Sequence, residues 1–174
     1  MKKNTDRVVI FIDGSNLLHS WMEMYPGERY DILKLRSKLT DGRNLVESCY
    51  YGSMRPDRIN IESNFHNFLK RNNFTTIILP LKLRGKGYIE KGVDGALLTD
   101  LVSYAHIDKY DVAILVSGDQ DYWTGLKKVK ALGKKVEIAY FYSSDPDKPR
   151  LCRKLKKVAN KFINLCEIKD EIKK

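Results

Sequence analysis

The stretch "VVIFIDGSNLLHS" (Val8–Ser20) decides how this chain is read. Val8 to Ile12 are apolar without interruption, and then the run stops at Asp13 and Gly14. A run that does not alternate with polar residues suits a strand covered on both faces of a parallel sheet. Ser15 to Met24 then reads as a helix, with Ser15 or Asn16 near its cap. A second stretch, "DVAILVSGDQDYW" (Asp111–Trp123), repeats the design. Its strand covers Val112 to Val116, and a helix from Tyr122 to Leu132 is closed by Gly133. Taken singly, "IDG" is explained by a turn and "SGDQD" by acids on a helix N-terminus.

Between and beyond these stretches, strands and helices alternate. A helix is expected over Asp31–Leu39, a strand over Leu45–Ser53, a helix over Ile59–Arg71 and a strand over Thr75–Leu81. The glycine-rich, basic "KLRGKGYIEKGVDG" (82–95) reads as a loop. Asp94 opens a helix to about Ala105, with Leu97, Leu98, Leu101 and Ala105 as its apolar stripe. A strand over Lys135–Phe141, a polar turn at 143–149, a basic helical piece over Lys154–Ala159 and a last strand over Phe162–Leu165 follow. The final "EIKDEIKK" reads as a frayed tail. This order defines an α/β fold with a mainly parallel central sheet flanked by helices. In such sheets the ligand site lies beyond the carboxyl ends of the strands, where the strand order reverses. If the Val8 and Val112 strands are neighbours there, Asp13, Asp119 and Asp121 converge on one crevice.

Composition narrows the chemistry. The chain has 174 residues, 43% of them hydrophobic, which is enough for one globular domain. The apolar run ended by Asp13 is too short for a signal peptide or a membrane span, so a cytoplasmic protein is expected. The three cysteines, Cys49, Cys152 and Cys166, show no CxxC spacing and suit a reducing compartment. No Cys/His pair has the spacing of a zinc site, so a metal here would be held by oxygen. Net charge is +10, from 32 Lys and Arg against 22 Asp and Glu. A basic chain that also gathers aspartates in loops points to a polyanion partner and a metal site. Clustered carboxylates repel one another, and a hard divalent cation relieves that repulsion; oxygen donors without His or Cys select Mg²⁺ or Mn²⁺. "GKG" at 85–87 lacks the P-loop spacing, and Ser15 breaks the DxD pattern of an aspartyl-phosphate phosphatase.

Three motifs, "FIDGSN" (11–16), "KGVDGALLTD" (91–100) and "LVSGDQDYWTGLKKVKALGKKVEIAYF" (115–141), stand in the order and spacing of the NYN domain. The chain thus resembles the NYN family, which includes the LabA-like proteins and belongs to the PIN-like nuclease superfamily. "VANKFINL" (158–165) is similar to the family's closing helix–strand segment, so the resemblance spans about residues 7–166 of a single domain, 1–174. It implies a PIN-like three-layer sandwich and a Mg²⁺- or Mn²⁺-dependent endoribonuclease acting on single-stranded RNA. The family's acids fall on Asp13, Asp94, Asp119 and Asp121, as metal ligands and catalytic residues. Its asparagine falls on Asn16, which would orient a water or a phosphate oxygen. Asp100 matches a further family aspartate, but six residues of helix place it about 120° round from Asp94, so it reads as a supporting residue or a cap. Tyr122 stands where the family commonly has Phe, and adds a hydroxyl.

RNA-binding residues are expected at Arg84, Lys86 and Lys91, with Lys82, in the loop before Asp94. "RLCRKLKKVANK" (150–161) is a second candidate RNA face. Tyr50, Tyr51 and Tyr88 are candidates for base stacking, with core packing as the plainer reading for the strand residues. The alternative to a nuclease is a nucleic-acid-binding or regulatory module with little catalysis. A flap-type DNA nuclease is disfavoured because no helical arch segment is present. Self-association or a protein partner stays open at this level.

Overall fold

A computed structural model describes residues 5–85, 87–145, 147–149 and 151–174, with side chains described except at 58–63. Strand β1 (Arg7–Asp13) leads into α1 (Gly14–Met24) and α2 (Ile32–Thr40), followed by β2 (Asn44–Met54), α3 (Ile59–Arg71) and β3 (Thr75–Pro80). Short strands β4 (Lys82–Arg84) and β5 (Gly87–Ile89) precede α4 (Val93–His106). Then come β6 (Val112–Val116), α5 (Trp123–Ala131), β7 (Lys135–Tyr140), α6 (Arg153–Val158), β8 (Lys161–Asn164) and α7 (Lys169–Ile172).

Six strands form one parallel sheet in the order β3-β2-β1-β6-β7-β8. The chain moves outward from β1 to β3, then crosses back to β6 and moves outward the other way. With right-handed crossovers, α1 to α3 cover one face and α4 to α6 the other. The reversal therefore falls between β1 and β6, the two strands whose apolar runs do not alternate. Val8 to Ile12 and Val112 to Val116 are all buried, as a central parallel strand pair requires. Their register pairs Ile12 with Val116. Asp13 and Ser117, each one residue further on, thus emerge side by side at the carboxyl edge.

Two sequence expectations fail. The stretch read as a loop holds the antiparallel hairpin β4–β5, with Lys82 opposite Ile89 and Arg84 opposite Gly87. Gly85 supplies a positive φ of 61° at its turn. Three-residue strands give too little apolar patterning to stand out among the glycines and lysines. The C-terminal "EIKDEIKK" is not frayed. Asp31 N–H donates to the Ile172 carbonyl (2.7 Å), Lys174 N–H to the Arg29 carbonyl (2.9 Å), and Ile172 is only 1% exposed. Two apolar residues in eight, Ile168 and Ile172, are too few to announce this docking. Replacing Ile172 with Ala is expected to cost about 2 kcal/mol, seen as a fall in Tm of about 4–8 °C.

Candidate active site at the carboxyl edge

Asp13 is the N-cap of α1, a role the sequence assigned to Ser15 or Asn16. Its Oδ1 accepts from the Asn16 N–H (3.0 Å), so the residue that ends β1 also starts the helix. Its Oδ2 accepts from the Ser117 hydroxyl (3.2 Å) and lies 3.1 Å from the Tyr122 hydroxyl. Tyr122 is buried and sits in the turn Gln120–Tyr122, just before α5. The same hydroxyl lies 3.1 Å from Asp94 Oδ1, in the first turn of α4. One phenolic oxygen therefore stands between the acid of β1 and the acid of α4. It carries one hydrogen, so it satisfies one carboxylate fully, and the second contact is best satisfied when that carboxyl is itself protonated.

The electrostatics agree. Burial pushes the Asp13 carboxyl up to about 6; hydrogen bonds from Asn16, Tyr122 and Ser117 pull it down, and the Asp94 charge raises it further. Asp94 is likewise raised, by desolvation first and then by the charges of Asp119, Glu90 and Asp121, while Tyr122 opposes the rise. The Tyr122 hydroxyl is held above its ordinary range by burial and by the two carboxylates beside it. Asp13, Asp94, Asp119 and Asp121 thus share one electrostatic neighbourhood. Among the described residues none of the four forms an ion pair with Lys, Arg or His.

Asp119 caps the turn before α5, its Oδ1 accepting from the Asp121 N–H (2.9 Å). Asp121 is exposed at the rim. Asn16 ties the two central strand ends together. Its N–H binds Asp13, and its Oδ1 accepts from the Gly118 N–H (3.0 Å). Its carbonyl is thus committed to the backbone, which leaves the amide nitrogen as the group it offers a ligand. Asp100 faces elsewhere. It accepts from the Tyr51 hydroxyl (2.8 Å), a direction compatible with its offset of about 120° from Asp94 on the helix. As they stand, no three Asp, Glu, His or Cys side chains among the described residues are close enough together to hold a metal ion.

Each central strand is followed within two residues by a glycine covered by a tyrosine. A Cβ on Gly14 would lie 2.2 Å from the Tyr50 ring, and one on Gly118 would lie 2.0 Å from the Tyr140 ring. Tyr140 is fixed by a 2.6 Å hydrogen bond with Ser20. Only glycine lets the ring lie over the backbone here. Gly118→Ala is expected to cost about 1–3 kcal/mol in urea unfolding, because Tyr140 must leave its place and the Asn16 tie loosens with it.

Glu90 escaped the sequence reading. Its carboxylate accepts from the Ser15 hydroxyl (2.6 Å) and from the Ser53 hydroxyl, linking the foot of the β4–β5 hairpin to the ends of β1 and β2. The one signal was a carboxylate four residues before Asp94 in an otherwise basic stretch. Of the expected RNA contacts, Arg84 and Lys91 are exposed on either side of β5, and Lys86 lies outside the described residues. Tyr50 and Tyr51 are buried, in agreement with packing, and Tyr88 lies under the Arg55 guanidinium (4.8 Å).

A mainly parallel six-stranded sheet with helices on both faces is an α/β fold consistent with the PIN-like class. The NYN domain family matches residues 7–166, and the chain belongs to that family, part of the PIN-like nuclease superfamily. A crystal structure of a protein of unknown function from Vibrio parahaemolyticus is similar, with a TM-score of 0.78 at 21% identity, covering 100% of this chain and 99% of that one. That likeness shows the fold alone. A comparison with curated proteins finds no significant match.

Proposed function

We propose that this protein is a Mg²⁺- or Mn²⁺-dependent endoribonuclease that hydrolyses phosphodiester bonds of single-stranded RNA. The observation that carries the reading is Asp13. It is 3% exposed, linked through the Tyr122 hydroxyl to Asp94, and without a cationic partner among the described residues. A buried carboxylate next to a second one is unfavourable by itself and calls for a counter-charge. The donor set fits a hard divalent ion that keeps several waters, since such ions take only one or two direct carboxylates. Asp13, Asp94, Asp119 and Asp121 are the residues that would hold it. The ion, when bound, supplies neutralisation of a phosphate and a lowered pKa for a water.

The chain's own residues do the rest. Asn16 N–H, Ser117 and Tyr122 fix the Asp13 carboxylate on a rigid strand end, so it cannot swing away from its neighbours. Glu90 secures the hairpin beside that edge. Arg84, Lys86 and Lys91 attract the RNA backbone without reading its bases. NYN nucleases act on RNA. The free cysteines Cys49, Cys152 and Cys166 are compatible with a cytoplasmic setting, and among the described residues no helix is long and apolar enough to cross a membrane. A nucleic-acid-binding or regulatory module with little catalysis is the second reading, favoured by the Tyr122 hydroxyl that occupies the gap between Asp13 and Asp94.

A cleavage assay decides between them. Labelled single-stranded RNA incubated with the protein is expected to be cut with Mn²⁺ or Mg²⁺ and to stay intact with EDTA. Binding without cleavage under all three conditions would establish the second reading.

A further inference from the structure

The lysines of this chain differ in what their ammonium groups meet; Lys109 and Lys169 meet both a carboxylate and a ring. Lys38, Lys109, Lys134, Lys135, Lys169 and Lys173 each reach a carboxylate. Lys127 on α5 and Lys154 and Lys156 on α6 have no acidic partner among the described residues, and their ammonium groups rest on aromatic rings instead. Lys127 Nζ lies 4.6 Å and Lys154 Nζ 5.7 Å from the centre of the Trp123 ring. Lys156 Nζ lies 4.5 Å from the Tyr142 ring, which is 42% exposed.

The place of this cluster in the fold gives it meaning. Trp123 directly follows Tyr122, whose hydroxyl joins Asp13 and Asp94. Helix α6 packs against the Gln120–Tyr122 turn that carries Asp121, and Lys130 Nζ fastens α5 to α6 through the Val158 carbonyl (2.9 Å). Trp123 is only partly buried, whereas Trp21, the other tryptophan, is 1% exposed and donates to the Glu28 carbonyl (3.2 Å). Exposed cation–π contacts are weak, about 0.5–1 kcal/mol. An ammonium is therefore easily redirected from a ring to a phosphate, and doing so uncovers a flat ring on which an unpaired base can stack.

We infer that Trp123, Lys127, Lys154 and Lys156 form the track that holds single-stranded RNA on the β7–β8 side of the candidate active site. In this arrangement one base stacks on Trp123 and the lysines take the flanking phosphates. The inference rests on the ribonuclease reading and adds the path of the strand to it. The RNA then crosses the carboxyl edge of the sheet, from the β4–β5 hairpin, over the acids, to α5 and α6. Single strands are favoured because duplex bases have no free face to stack.

The test is a titration of metal-free protein, in EDTA, with a short single-stranded oligouridylate, following tryptophan fluorescence and anisotropy of labelled RNA. Trp21 is shielded, so saturable quenching reports on Trp123. Trp123→Leu is expected to abolish the quenching and weaken binding about tenfold. Replacing Lys127, Lys154 and Lys156 together with Gln is expected to flatten the salt dependence by about 2, at roughly 0.7 per lost phosphate contact. Because the lysines are exposed, circular dichroism of that variant should match the unmodified chain. If both variants bind as the unmodified protein does, or if duplex RNA binds equally well without quenching, the track is wrong while the ribonuclease reading stands. If the unmodified protein binds no RNA at low salt, both fall together.

Discussion

Replacing Asp13 with Asn is expected to lower single-turnover RNA cleavage by at least about a thousandfold while leaving RNA affinity unchanged or slightly higher. The side chain keeps its size, and Asn Oδ1 can still cap α1 through the Asn16 N–H. What is lost is the one negative charge buried where β1 meets β6, on which the counter-ion and the activated water depend; metal-assisted hydrolysis gains several kcal/mol from that charge arrangement. Affinity holds because a repulsive carboxylate has been removed from a surface that meets phosphate. The measurement pairs single-turnover cleavage with equilibrium binding in one Mn²⁺ buffer. Equal cleavage by the two proteins would remove Asp13 from the site and favour the binding-module reading.

The same substitution should stabilise the metal-free protein. Burial raises the Asp13 carboxyl to about 6, so between roughly pH 4 and 6 the folded state binds a proton that the unfolded state has released. The stabilising contribution of that proton is complete below the unfolded pKa and is lost as pH rises through about 6. By pH 7.5 the loss is about 3 kcal/mol, from about two pKa units at 1.36 kcal/mol each. Asp13→Asn has no proton to lose. In EDTA at pH 7.5 its Tm should therefore exceed that of the unmodified protein by about 5–10 °C, with the difference vanishing near pH 4. Saturating Mn²⁺ should close or reverse the gap, because only the unmodified chain gains binding energy, about 2.7 kcal/mol at a hundredfold excess over Kd. A variant that is less stable than its parent in EDTA at pH 7.5 would show that Asp13 is not a strained carboxylate.

The sequence announced the sheet through its central strands. Val8 to Ile12 and Val112 to Val116 are unbroken apolar runs that suit strands buried on both faces; Asp13 follows the first directly, and Asp119 stands three residues beyond the second. It also set Asp100 apart from Asp94, since six residues of helix turn the two about 120° from one another. Other features depend on contacts between distant segments and leave no local pattern. The Tyr122 hydroxyl set between two carboxylates and the grip of Glu90 on Ser15 and Ser53 are of this kind. Tyr50 and Tyr140 over Gly14 and Gly118 are equally silent, because a glycine after a strand reads first as a turn. The docked tail went unseen because α7 has four residues and one buried side chain, Ile172, far below the length at which helical periodicity shows.

Mn²⁺ calorimetry on the unmodified chain and on single Asn variants of Asp13, Asp94, Asp119 and Asp100 tests the central claim most directly, namely that the acids of β1, α4 and the turn before α5 form one divalent-cation site. The account predicts saturable binding that is abolished or strongly weakened by Asp13→Asn, Asp94→Asn and Asp119→Asn alike, and that survives Asp100→Asn, whose carboxylate belongs to Tyr51. No Mn²⁺ binding by the unmodified protein, or binding lost with Asp100 and kept without Asp94, would contradict it.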